Sequence, residues 1–71
     1  MSLEVLKAEM DYYLMLCHKA TNQFDQRIMC ERAFGAVQHH FMLFPQEQDE
    51  AGRLWETYKP QFEKIIFKNN A

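Results

Sequence analysis

Six consecutive residues, Tyr12, Tyr13, Leu14, Met15, Leu16 and Cys17, are apolar or largely apolar, and they lie within a segment of helical periodicity. A helix that faces one core needs only one apolar stripe. Successive helical residues turn by about 100°, so six in a row place apolar groups on more than one face. Such a helix has more than one surface to bury. That implies association, and it names neither a partner nor a reaction.

The periodicity predicts a first helix over about residues 3–20. Leu3, Leu6, Met10, Tyr13, Leu14, Cys17 and Ala20 share one face, in the i, i+3, i+4, i+7 pattern of a core stripe. Val5, Tyr12 and Leu16 form a second, adjacent stripe, interrupted by Glu9. Lys7, Asp11, His18 and Lys19 take the wet side.

Thr21 and Asn22 break the first helix. Asn22 is a good N-cap, and Asp25 three residues on suits a helix start. The second helix is expected over about residues 23–43. Cys30, Ala33, Phe34, Val37, Phe41 and Phe44 make its main face, while Phe24, Ile28, Gly35 and Met42 make another, well rotated from the first. Gly35 costs about 1 kcal/mol against alanine inside a helix. Close approach of another backbone is one reason to keep it; a tolerated imperfection is the other.

Pro45 ends the second helix, because a proline pushes the residue before it out of the α region. A third helix is expected over about residues 46–67, with Glu47, Asp49 and Glu50 matched to its positive end. Ala51, Leu54, Trp55, Tyr58, Phe62, Ile65 and Ile66 keep one phase across Pro60, which predicts one proline-kinked helix rather than two. The last residues, 69–71, are expected to fray.

Two short connections make neighbouring helices antiparallel. The expected fold is all-α: a single-domain antiparallel three-helix bundle, a helical hairpin plus a kinked third helix. A chain of 71 residues buries only about 60% of the surface it would expose unfolded, so it is marginal alone. Helices 1 and 2 carry second stripes and helix 3 does not. The expected form is therefore a homodimer, with Val5, Tyr12, Leu16, Phe24, Ile28 and Met42 as its interface.

Eight basic residues are scattered among ten acidic ones, for a net charge of −2. Without a basic stripe, nucleic acid is disfavoured as a partner. The longest apolar run is far below the ~20 residues of a membrane span. No signal sequence is visible, and two cysteines are too few for a disulfide scaffold, which suits a cytoplasmic protein with reduced thiols.

Chemistry has few footholds. Cys17, His18, Cys30, His39 and His40 lack the close ligand pairs of a zinc site, and the two cysteines read as small core hydrophobes. The acids Glu47, Asp49 and Glu50 lack the spacing of a calcium loop and read as a solvated helix start. The one serine, Ser2, is terminal. No cofactor is expected, and no enzymatic activity. The functional expectation is a small interaction or regulatory module acting as a homodimer, with another protein as a further partner. The alternatives are an accessory phosphotransfer protein using His39 or His40, and a small-ligand or metal-binding bundle using the space between its helices; separately, Met10, Met15, Met29 and Met42 could line a groove for an apolar ligand or an amphipathic peptide.

Overall fold

The computed structural model describes residues 2–68. The fraying expected of residues 69–71 lies outside them. Three helices pack pairwise: α1 (Ser2–Lys19), α2 (Gln23–Leu43) and α3 (Gln48–Lys68). Among the described residues there is no strand. The three-helix bundle expected from periodicity is the fold, in a rod of 40 × 16 × 16 Å.

Side-chain bonds fix the helix directions. Ser2 at the start of α1 reaches Glu47 just before α3, so those two helices run in parallel. Gln23 Nε2, at the start of α2, donates to the Ile66 carbonyl at 3.1 Å. That bond sets α2 antiparallel to α3 and satisfies one of the carbonyls left open at the end of α3.

Asn22 caps α2 as its sequence position implies. Its side-chain oxygen accepts from the Asp25 backbone N–H at 2.8 Å, and its amide donates to the Asp25 carboxylate at 2.9 Å. The junction between α2 and α3 differs from expectation. A 3-10 turn, Pro45–Glu47, separates the helices, and α3 begins at Gln48 rather than near 46. Pro45 starts that turn because its missing N–H needs no partner in a first turn. Helix α1 ends at Lys19, with the Ala20 N–H still bonded back to Leu16.

Helix α3 is continuous through Pro60. The ring removes one helical hydrogen bond, the one to the Glu56 carbonyl. Nearby carbonyls gain side-chain donors: Gln61 Nε2 bonds Thr57 O, and Thr57 Oγ1 bonds Arg53 O, each at 3.1 Å. Pro60 itself is exposed, so the disruption faces water and not the core.

The core is built from Leu6, Met10 and Cys17 of α1, Ala33 and Val37 of α2, and Ala51, Tyr58, Phe62 and Ile66 of α3. Phe62 is its largest fully buried side chain, and small Ala33 and Ala51 are fully buried as well. The buried stripe of α2 differs from the expected one. It runs Gln26, Ala33, Val37, His40, with two polar residues at its ends. Phe34, expected in the core, is exposed at the edge of this stripe and lies against Trp55 of α3, ring centroids 5.4 Å apart. Cys30 and Phe41 are half-buried on the same flank.

Candidate functional site

Two places on this bundle concentrate chemistry or exposed apolar surface. The first is the junction where the start of α1, the end of α2 and the 3-10 turn meet. Glu47 lies at its centre. The Ser2 hydroxyl donates to Glu47 Oε1 at 2.6 Å, and His40 Nε2 lies 2.8 Å from the same oxygen. These bonds, Ser2 first and His40 second, hold the Glu47 carboxyl below its usual range. A carboxylate only accepts, so His40 donates through Nε2.

This arrangement adds to the sequence reading at two residues. His40, named there as a phosphotransfer alternative, does not lie on the open surface. It is buried, its ring lies 4.8 Å from that of Phe44, and Glu47 fixes its tautomer. Glu47 is not simply a solvated helix start; it is half-buried and joins three elements. Tertiary proximity across 45 residues made the Ser2 contact invisible to any sequence pattern.

The junction is not a nucleophile–base set. In such a set the imidazole stands between nucleophile and acid. Here the carboxylate stands between them, and Ser2 makes its bond to Glu47. A cleft of about 320 Å³ opens beside the junction, with Val5, His39 and Leu43 on its rim. His39 is exposed there. Acidic Glu9 also lines the cleft, and among the described residues no lysine or arginine lines it to hold a phosphoryl group.

A second polar contact crosses the middle of the bundle. The Tyr58 hydroxyl donates to Asp11, which also pairs with Lys7 at 3.4 Å. The Tyr58 bond, helped by Lys7, holds the Asp11 carboxyl low, and burial followed by that same bond raises the Tyr58 hydroxyl. Cys17 is buried and its Sγ donates to the Gln26 carbonyl at 3.6 Å. Burial raises both thiols, Cys30 with help from Glu63 and Glu31. Both thiols are therefore protonated and poorly nucleophilic at neutral pH. Among the described residues no three His, Cys, Asp or Glu side chains cluster as metal ligands.

The second place is the apolar surface of α1 and α2. Of the six interface residues expected from sequence, four are exposed: Val5 at 61%, Tyr12 at 54%, Phe24 at 72% and Met42 at 78%. Leu16 and Ile28 are half-buried. Helix phase places Val5, Tyr12 and Leu16 along one line of α1, and Phe24, Ile28, Gly35 and Met42 along the side of α2 opposite its buried stripe. Leu43, also exposed, was missed because the expected second stripe of α2 passes through its neighbour Met42.

No family model, no curated protein and no solved structure matches this chain. No helix among the described residues is long and apolar enough to cross a membrane.

Proposed function

We propose that this protein is a small helical interaction module that works by self-association, through the surface of α1 and α2, and carries out no bond chemistry of its own. The observation that carries this reading is the exposure of Val5, Tyr12, Phe24, Met42 and Leu43 on two adjacent helices. Isolated apolar residues on a surface are ordinary, but large side chains gathered on neighbouring helices mark an interaction surface. Apolar residues leave α2 in every direction: toward α1, toward α3 and toward solvent. A helix of that kind is normally covered on all sides. Two neighbours cover two sides of α2, and a second copy would cover the third.

The polar contacts support the same reading. The Ser2–Glu47–His40 and Lys7–Asp11–Tyr58 groups join helix to helix, and in the first the Ser2 hydroxyl is bonded to the carboxylate and not to the imidazole. Two protonated, partly or fully buried thiols suit a reducing compartment such as the cytoplasm.

Size-exclusion chromatography with light scattering tests the reading on the unmodified chain and on Tyr12→Glu and Val5→Glu. A dimer that becomes monomeric, or loses its fold, when either charge is introduced supports it. A dimer indifferent to both changes would remove α1 from the interface.

A further inference from the structure

Gly35 lies in the middle of α2, on the exposed line that also holds Ile28 and Met42. A Cβ added at Gly35 would have no neighbour within 4 Å. Nothing inside the chain therefore requires glycine there, although glycine is the poorest helix former after proline. The surrounding sequence is self-complementary about this point. Ile28 and Met42 each lie seven residues from Gly35, and Glu31 and His39 each lie four residues from it.

We infer that two copies of this chain pack α2 against α2 in antiparallel fashion, with the two-fold axis at Gly35. The inference rests on the self-association reading and narrows it to one helix and one axis. In the commonest helix-packing class, rows of residues spaced by four on the two helices align. Glu31, Gly35 and His39 form such a row. Laid antiparallel on itself, it places Gly35 against the partner's Gly35, where two backbones approach closely because neither carries a side chain. Glu31 then meets the partner's His39, an acceptor against a ring N–H donor, twice by symmetry. Within one chain Glu31 and His39 are two helical turns apart, so only a second copy brings them together.

Four variants test this by sedimentation equilibrium and circular dichroism: Gly35→Ala, Glu31→His, His39→Glu and the combined swap Glu31→His/His39→Glu. Gly35→Ala is expected to keep the helical content, since its methyl meets open space, while raising the dimer dissociation constant by about tenfold or more. Each single charge change is expected to weaken the dimer, and the swap to restore it. A dimer whose dissociation constant stays within about twofold in Gly35→Ala and in both single variants overturns the axis. If Tyr12→Glu nevertheless breaks that dimer, self-association stands and only its placement on α2 fails. An unmodified chain that stays monomeric overturns both.

Discussion

His40 Nε2 donates to Glu47 Oε1 at 2.8 Å, and this bond ties the last turn of α2 to the 3-10 turn that leads into α3. Ser2 brings α1 to the same oxygen. The bundle is thereby joined at one end through a single carboxylate, and at mid-length through Asp11 and Tyr58.

Stability should consequently fall at both ends of the pH scale. Glu47 and Asp11 have carboxyls lowered from 4.5 and 3.8. Their contribution is fully present above those unfolded values and is lost as pH falls through the lowered folded ones. Tyr58, Cys17 and Cys30 are raised from 10.0, 9.0 and 9.0. Their contribution is present below those values and is lost as pH rises through the raised ones. Urea midpoints should form a plateau between roughly pH 5 and 8. The Glu47→Gln/Asp11→Asn double variant should flatten the acid limb; an unchanged limb would show that neither carboxylate contributes.

The cysteines should behave as packing residues. Cys17→Ala is expected to cost roughly 1–2 kcal/mol through lost apolar volume, and Cys30→Ala less, because Cys30 is only half-buried. A thiol reagent should label neither rapidly in the folded protein. Rapid labelling of Cys17, or tight equimolar zinc, would contradict this.

Pro60→Ala should stabilise the protein. Pro60 is exposed within a continuous helix, so its removal restores a hydrogen bond and forfeits no core contact. The expected gain is roughly 1–3 kcal/mol, read from the shift in urea midpoint. A loss of stability would mean that the proline shapes α3 around the core.

The sequence pattern located elements better than it located contacts. The Asn22 cap, the break at Pro45 and the unbroken phase from Ala51 to Ile66 are local signals, and each corresponds to a feature of the fold. The burial of Gln26 and His40 is not legible in the apolar period, because that period counts only apolar residues. Their positions nevertheless continue the Ala33–Val37 stripe at helical spacing. Phe34 was misplaced for the opposite reason. A large aromatic suggests burial, yet small Ala33 holds the tightest position and Phe34 falls to its flank. The Ser2–Glu47 and Asp11–Tyr58 bonds join residues more than forty positions apart, and periodicity carries no information about such pairs.

The central claim is that this bundle pairs with itself through the uncovered surface of α1 and α2. Sedimentation equilibrium of the unmodified chain across the micromolar range tests it most directly. The account predicts a reversible dimer, and a thermal midpoint that rises with protein concentration because folding and pairing are linked. A stable, well-folded monomer at every concentration, with a midpoint independent of concentration, would contradict it.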